Sequence, residues 1–334
     1  MYREHESVWQ LMEEAQADRM IIIFRSNSHA RNLAIDNEQA KKDFSPILPS
    51  FLPLNGNLPI PIYSPPESQY KSSTLASGSL ASGDSYTVED VMTSDRAGSR
   101  RLLFTSNARA IQSQMGFHIS GEKKKRKVFE PRTLFFSIHQ FMAAALLLAP
   151  PRSASPRILV LGLGGGCLPS FLHASIPRAA ITAVEIDETV AEIARKYFKL
   201  PEDVEVVVED ALQFVEKQQA AGKTYDVVIV DIDTKDLKAT SSFPPVAFLT
   251  KKFLEQLKSM VGDGLVVYNI CSRKKEYYAV YKRQFMNVFK NVLTFETEDL
   301  NQMFAASEGE LRTTRTEDKA WANYLEGFQF PEVK

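Results

Sequence analysis

The chain has 334 residues, with 40 Lys and Arg against 41 Asp and Glu and a formal net charge of −1. This balance argues against an overall basic surface that would attract nucleic acid or an anionic membrane, so we expect neither as a partner. The two cysteines exclude a disulfide framework, show no metal-ligand spacing and suit a reducing compartment. Charged residues rather than an apolar core follow Met1, so we expect no signal peptide and a cytoplasmic location.

The N-terminal part of the chain has an irregular pattern that predicts two regions. Residues 1–71 contain proline-rich segments and predict an N-terminal region of uncertain fold. Residues 72–85 carry Leu-Ala-Ser-Gly twice, and a stretch so rich in serine and glycine buries too little apolar surface to order itself. We therefore expect a mobile loop there.

Residues 86–133 predict a small lead-in to the main domain. Strand-like runs lie at Tyr86–Met92 and Arg101–Thr105, and a basic segment follows at Lys123–Lys127. A run of like charges is typical of a solvated loop, and nuclear import or docking on an acidic partner is the alternative interpretation.

Residues 134–334 predict one α/β domain. The apolar run Leu134–Ala149 is too short to span a bilayer, and the prolines that follow it predict the end of a buried helix. Strand-like runs then fall at 157–162, 180–185, 204–208, 225–231, 264–269, 291–296 and 302–306, with segments of helical period at 188–198, 210–218, 245–260 and 274–290. This alternation indicates a mostly parallel sheet with helices on both faces.

A glycine run after the first of these strands predicts half of a nucleoside-binding site. The glycines are Gly162, Gly164, Gly165 and Gly166, and without a Cβ they let the backbone approach a ligand closely. Glu185 follows roughly 20 residues later at the tip of the second strand, where a carboxylate can accept hydrogen bonds from ribose hydroxyls. A simple tight turn is the alternative interpretation of the glycines alone.

Acidic residues also follow the third and fourth strands, and they should converge on the same crevice because ligands bind outside the carboxyl ends of parallel strands. Asp210 suits the exocyclic amine of an adenine, and the backbone N–H of Ala211 suits a ring nitrogen. Asp231, with Asp233 as the next candidate, should face the reacting end of the ligand and accept a proton. Helix capping and loop solvation are the alternatives for Asp210 and Asp231.

The order of these acids favours S-adenosylmethionine over a dinucleotide. A pyrophosphate is typically bound by the pattern G-x-G-x-x-G, and Cys167 occupies the third glycine position here. We therefore expect S-adenosylmethionine as the cofactor, with no metal.

The stretch from Tyr86 to Ser307 resembles the C-terminal methyltransferase half of the translation elongation factor 1-alpha lysine and N-terminal methyltransferases, among the spermidine-synthase-like methyltransferases. The motifs that carry the resemblance are Val160–Pro169, Ala183–Asp187, Asp231–Asp236 and Pro244–Phe248. The resemblance implies a class I methyltransferase fold, which is a Rossmann-like, doubly wound and mostly parallel sheet of seven strands. It also implies that the chain methylates the α-amino group of elongation factor 1-alpha, exposed once the initiator methionine is removed.

The helix that contains His139 and Gln140 resembles a helix of polyamine synthases that lays a glutamine beside the thioether nucleoside. That resemblance implies that Gln140 touches the cofactor and that His139 lies nearby. The expected cofactor-binding residues are therefore Gln140, Gly162, Gly164, Gly165, Gly166, Glu185, Ile186, Asp210 and Ala211.

Two other functions stay open at this point. One is a polyamine aminopropyltransferase, which shares the fold and a carboxylate at the position of Asp231. Against it, polyamine synthases carry an acid in the glycine loop where Cys167 or Leu168 stands here, and Lys235 is unfavourable beside a dicationic substrate. The other is a catalytically inactive binding module of the same fold. The oligomeric state is open, and a homodimer is compatible with the sequence.

Overall fold

The computed structural model describes residues 72–105, 111–122, 124–149, 153–176, 178–233, 241–272, 274–297 and 301–311. The N-terminal region that we expected at residues 1–71 lies outside this part of the chain. The described residues form a small antiparallel sheet followed by a large α/β sheet. Among the described residues, no helix is long and apolar enough to cross a membrane.

The small sheet has five antiparallel strands in chain order. They are β1 (Ser72–Ser79), β2 (Ser85–Met92), β3 (Ala97–Phe104), β4 (Ile111–Ser120) and β5 (Arg126–Phe129). The expectation of a mobile loop at residues 72–85 is wrong, because β1 pairs with β2 from Ser72 to Ser79. Side-chain burial is small in β1, and its order comes from the backbone hydrogen bonds that an edge strand shares with its neighbour.

The expectation of a loop at Lys123–Lys127 is wrong for its last residues, which belong to β5, although Arg126 and Lys127 are exposed as expected. Lys127 Nζ contacts the carboxylate of Asp90, which is buried in β2. Arg100 of β3 binds the same carboxylate through two hydrogen bonds of 2.8 and 2.9 Å, and its third nitrogen donates to the carbonyl of Tyr197 at 2.6 Å. Burial alone would raise the pKa of Asp90. The two cations lower this pKa and together outweigh the effect of burial, so the net shift is downward.

The large sheet has the strand order β12-β13-β11-β9-β6-β7-β8, with a short strand β10 on β11. Its strands are β6 (Arg157–Leu161), β7 (Ala180–Glu185), β8 (Glu205–Val208), β9 (Val227–Val230), β10 (Ser241–Phe243), β11 (Leu265–Ser272), β12 (Asn291–Glu296) and β13 (Asn301–Ser307). Strands β8, β7, β6, β9 and β11 are mutually parallel, whereas β13 is antiparallel to β11. The expected doubly wound, mostly parallel sheet of seven strands is confirmed.

Helices cover both faces of this sheet. They are α1 (Ser137–Ala145), α2 (Cys167–Ser175), α3 (Glu188–Phe198), α4 (Ala211–Ala220), α5 (Lys251–Val261) and α6 (Glu276–Met286), with a 3-10 turn at Val246–Leu249. Strand β6 shows why: Ile158 and Val160 pack into one apolar cluster, and Leu159 and Leu161 pack into the other. A parallel strand buried on both faces is typically apolar throughout, as β6 is.

The strand order reverses between β6 and β9, so the loops that follow these two strands diverge to opposite sides of the sheet. In doubly wound sheets the crevice at such a point binds ligands. The fold therefore places its candidate site at the carboxyl ends of β6, β7, β8 and β9.

The buried Asp90 carboxylate predicts a measurable loss of stability. Asp90→Asn should lower the free energy of unfolding by about 3–5 kcal/mol, because it leaves the buried Arg100 cation without its counter-charge. Because the pKa of Asp90 is lowered by folding, its contribution exists above the unfolded pKa of about 3.9 and disappears as the pH falls through the folded pKa. Urea unfolding at pH 7 and at pH 3 measures both effects.

A matched control is Glu130→Gln, which removes an exposed pair between Glu130 and His118. Its cost should stay below about 1 kcal/mol. Equal losses in the two variants at pH 7 would contradict a special role for the Asp90 cluster.

Candidate active site

The site is built on a close approach between the ends of β6 and β9. Gly162 has φ of +94°, and a Cβ at this position would lie 2.1 Å from the carbonyl oxygen of Asp231. The backbone N–H of Asp231 in turn donates to the carbonyl of Leu161 at 2.8 Å. Only glycine fits here, so Gly162 fixes the main chain of Asp231 against the start of the glycine turn.

The rest of the glycine turn is held by the small sheet. Gly165 N–H donates to Ser113 Oγ at 2.7 Å, and Ser113 is a buried residue of β4. A Cβ on Gly165 would lie 2.8 Å from the Cβ of Ser113. Gly166, with φ of +74°, precedes the first residue of α2. Sequence reasoning missed Ser113, because a serine far from the glycine turn in the chain carries no signal of this contact.

Glu185 lies between the glycine turn and the next loop, as expected. Its Oε2 accepts from the backbone N–H of Leu163 at 3.2 Å, and its Oε1 accepts from Ile186 and Asp187 at 3.0 and 3.1 Å. Three backbone donors therefore fix the carboxylate and occupy three of its roughly four acceptor positions. Fewer positions are left for a ribose than the sequence suggested.

Asp187 links the same loop to the small sheet. Its Oδ1 accepts from Thr189 N–H at 3.0 Å and caps α3, and its Oδ2 accepts from Ala81 N–H at 2.9 Å. Ala81 follows β1, in the segment that was expected to be mobile. The small sheet therefore contacts both loops that surround Glu185.

The remaining expected cofactor residues lie around this crevice. The N–H of Glu209 donates to the carbonyl of Glu185, which brings the end of β8 beside β7. Asp210 follows, and its Oδ1 caps α4 by accepting from Leu212 N–H at 2.7 Å. Asp210 therefore caps the helix, as the alternative interpretation expected. Its second carboxylate oxygen takes no part in the capping hydrogen bond. Ala211 is buried and Ile186 is exposed.

Gln140, in α1, donates its amide to the carbonyl of Leu134 at 2.8 Å. This bond holds the side chain against the start of its own helix. A contact of Gln140 with the cofactor stays a prediction.

Asp231 is the centre of a partly buried polar network. His139 Nε2 lies 2.8 Å from its Oδ2, and Asn269 Nδ2 donates to its Oδ1 at 2.8 Å. Asn301 Nδ2 donates to Asn269 Oδ1 at 2.7 Å, which fixes the orientation of that amide. Burial alone would raise the pKa of Asp231. The charge and hydrogen bond of His139 and the hydrogen bond of Asn269 lower this pKa, and together they outweigh the effect of burial. The net shift is downward, so Asp231 is an anion at neutral pH.

Asn269 was not predicted as a site residue, although the sequence carries a signal for it. It is a buried polar residue in the middle of β11, whose neighbours are otherwise mostly apolar. A buried amide needs a partner, and in this case the partners are Asp231 and Asn301. Asp233 lies two residues after Asp231 at the end of a described segment, and Asp236 lies outside the described residues.

Cys167 is one of the two residues, with Leu168, expected to stand where polyamine synthases carry an acid. It is buried at the start of α2 in the same apolar cluster as Leu80 and Phe198. Burial raises the pKa of its thiol to about 12, although a hydrogen bond with the Gln114 backbone opposes the shift. The side chain is therefore neutral, and it offers no charge to a cationic ligand.

The contact between Gly162 and Asp231 predicts the cost of a single methyl group. Gly162→Ala should lose more stability than the roughly 1–2 kcal/mol of left-handed strain alone, because the carbonyl of Asp231 must also move. Gly222→Ala is the matched control, since Gly222 has φ of +65° and open space around it. Urea unfolding measures the free energy of unfolding of the two variants. Equal losses of stability would show that the Asp231 main chain can move away from the added methyl group with little loss of free energy.

Residues 147–300 match the spermine/spermidine synthase domain. A Drosophila melanogaster protein named eEF1A lysine and N-terminal methyltransferase homolog is 32% identical over 313 residues, covering 90% of this chain and 46% of the relative. A Mus musculus protein named eEF1A lysine and N-terminal methyltransferase is 34% identical over 229 residues, covering 58% of this chain and 32% of the relative.

Among solved structures, a probable spermidine synthase from Corynebacterium glutamicum superposes with a TM-score of 0.56 at 18% identity, covering 78% of this chain and 88% of that one. This likeness supports the fold. The chain spans about half or less of the length of the two curated relatives. The chain is therefore similar to the eEF1A lysine and N-terminal methyltransferases over part of their length, and residues 147–300 are similar to a spermine/spermidine synthase domain.

Proposed function

We propose that this chain is an S-adenosylmethionine-dependent protein methyltransferase whose target is the N-terminal α-amine of translation elongation factor 1-alpha. The observation that carries the proposal is the contact of the glycine turn with both Glu185 and the Asp231 main chain at the point where the strand order reverses. The names of the relatives supply the substrate.

The residues present fit the nucleoside of S-adenosylmethionine. The Glu185 carboxylate is fixed by backbone donors on both sides, so it needs no reorganisation to accept from a ribose hydroxyl. The residues that would hold the cofactor are Gln140, Gly162, Gly164, Gly165, Gly166, Glu185, Ile186, Asp210 and Ala211. When bound, S-adenosylmethionine supplies an electrophilic methyl group on a sulfonium.

The protein must then position an unprotonated amine in line with the methyl group, and such positioning supplies much of the rate of a displacement. An α-amine has a pKa of about 7.7–8.0 and a lysine side chain about 10.4, so far more of the α-amine is neutral at physiological pH. The partly buried anion of Asp231 can orient such an amine and balance its charge, with Asp233 close by in the chain. The site therefore favours a free protein N-terminus as the substrate.

Aminopropyl transfer to a polyamine is the alternative reaction for this fold. The match to the spermine/spermidine synthase domain favours it. The neutral, buried thiol of Cys167 disfavours it, because it supplies no anion for the free amine of the decarboxylated cofactor that aminopropyl transfer uses.

Loss of the Glu185 carboxylate should weaken cofactor binding. Because backbone donors occupy most of its acceptor positions, Glu185→Ala should forfeit about one charge-assisted bond to the ribose, or about 1.5–3 kcal/mol. Isothermal titration calorimetry with S-adenosylmethionine should show an affinity about 10- to 150-fold lower. The control Glu188→Ala removes an exposed carboxylate three residues later, and it should bind as the wild type does. Wild-type affinity in Glu185→Ala would contradict the cofactor site.

The substrate class is tested with two peptides of the elongation factor 1-alpha N-terminal sequence that differ only in acetylation of the α-amine. Each is incubated with S-adenosylmethionine and analysed by mass spectrometry, and methylation is expected on the free peptide alone. Equal methylation of both peptides would place the mark on a side chain. A parallel incubation of putrescine with decarboxylated S-adenosylmethionine tests the alternative, and spermidine formed there without peptide methylation would establish aminopropyl transfer.

A further inference from the structure

The hydrogen bonds around Asp231 determine where the proton on His139 lies. An ionised carboxylate is only an acceptor, so the contact of 2.8 Å between Asp231 Oδ2 and His139 Nε2 requires the hydrogen on Nε2. In a neutral imidazole the other ring nitrogen then carries the lone pair. Among the described residues, His139 Nδ1 makes no hydrogen bond. The ring also packs edge-on against Phe136, with the ring centroids 5.5 Å apart.

From this arrangement we infer that His139 accepts the proton of the substrate amine through Nδ1, and that Asp231 is a positioning residue that holds the imidazole and balances its charge. The inference rests on the proposed function, and it moves the role of proton acceptor from Asp231, where the sequence analysis expected it, to His139. The arrangement is that of a base oriented by a third group, which is common to catalytic dyads and triads.

The hydrogen bonds of the two groups support this division of roles. Both oxygens of Asp231 already accept hydrogen bonds, from His139 and Asn269. Even an ordinary carboxyl with a pKa of about 3.9 is about four units less basic than an α-amine of pKa about 7.7–8.0, so it is a poor proton acceptor for that amine. Nδ1 of His139 carries the lone pair that these contacts leave open, and Asp231 balances the positive charge that protonation of Nδ1 creates.

The reaction balances with the groups named. The ammonium of the substrate gives one proton to Nδ1, which forms an imidazolium paired with the Asp231 carboxylate and a neutral amine. The amine nitrogen then forms a bond to the methyl carbon while the carbon–sulfur bond breaks. The electron pair of the broken bond stays on sulfur, and the sulfonium becomes a neutral thioether. The imidazolium returns its proton to solvent, since the His139 and Asp231 side chains are 13% and 18% exposed.

Other titratable groups near α1 are few among the described residues. Helix α1 packs against β11, β13 and α2. Strand β11 carries Tyr268, whose hydroxyl donates to the carbonyl of Phe248, and Cys271, and β13 carries no charged residue. Helix α2 carries Cys167 and His173, and His173 contacts Asp203 at 2.7 Å. Asp231 is thus the charged group that directly faces His139.

The test compares His139→Gln with the wild type in single-turnover methylation of the free N-terminal peptide from pH 5.5 to 9. Glutamine can still donate to Asp231 but cannot take up a proton in this range. The variant should bind S-adenosylmethionine within a few-fold of the wild type and lose about 10²–10⁴-fold in turnover at pH 7. It should also lose the inflection in the pH profile that the imidazole produces. Free imidazole in solution should restore part of the rate of His139→Ala.

His173→Gln is the matched control, because it removes the imidazole of a second His–Asp pair outside the site; its rate and pH profile should match the wild type. A second measurement needs no activity: ¹⁵N NMR of the imidazoles, assigned by difference with His139→Gln, should show the Nε2–H tautomer for His139.

Wild-type turnover and an unchanged inflection in His139→Gln would overturn the inference, and so would an Nδ1–H tautomer. A wild-type protein that methylates no peptide would instead contradict the proposed function, and the tautomer would still decide whether Nδ1 is free to accept a proton.

Discussion

The structure depends on one steric constraint, which is that nothing larger than hydrogen fits between Gly162 and the carbonyl oxygen of Asp231. This contact joins the ends of two adjacent parallel strands at the point where the strand order reverses. It places the side chain of Asp231 beneath α1, where His139 reaches it, and beside β11, where Asn269 does. One close main-chain contact thus fixes the position of the Asp231 carboxylate relative to the turn proposed to bind the cofactor.

The small antiparallel sheet completes the site. Ser113 accepts a hydrogen bond from the glycine turn, and Ala81 donates one to Asp187 beside Glu185. The cluster of buried Asp90 and Arg100 with exposed Lys127 ties the same sheet to α3, because Arg100 donates to the carbonyl of Tyr197. A substitution that destabilises the small sheet should therefore weaken cofactor binding before it destabilises the large sheet. The reason is that both loops around Glu185 form hydrogen bonds with the small sheet or the turn after β1.

The sequence predicted the large sheet well because its strands are buried on both faces and alternate regularly with amphipathic helices; the strand at 180–185 and the helix at 188–198 have the same bounds in the structure. It failed at β1, because an edge strand of serine and glycine is ordered by backbone pairing, which leaves little trace in side-chain pattern. It also missed the ion pair of Lys127, which is exposed, with the buried Asp90, because charge composition does not reveal such a partner.

The candidate site shows the same division. Glycines and acids at strand ends are visible in sequence because their chemistry depends on residue type and position in the sheet. Ser113 and Asn301 were not, since their contacts join segments far apart in the chain. The pairing of His139 with Asp231 depends on how α1 packs over the sheet, and only the structure shows it.

The most direct test of the account measures cofactor affinity and methyl transfer together in Asp231→Asn. The contact with Gly162 involves only the main chain, so the variant should bind S-adenosylmethionine within a few-fold of the wild type. Loss of the anion that fixes His139 should lower single-turnover methylation by about 100-fold or more. Wild-type turnover, or a loss of affinity as large as the loss of turnover, would contradict the placement of Asp231 at the reacting end of the site.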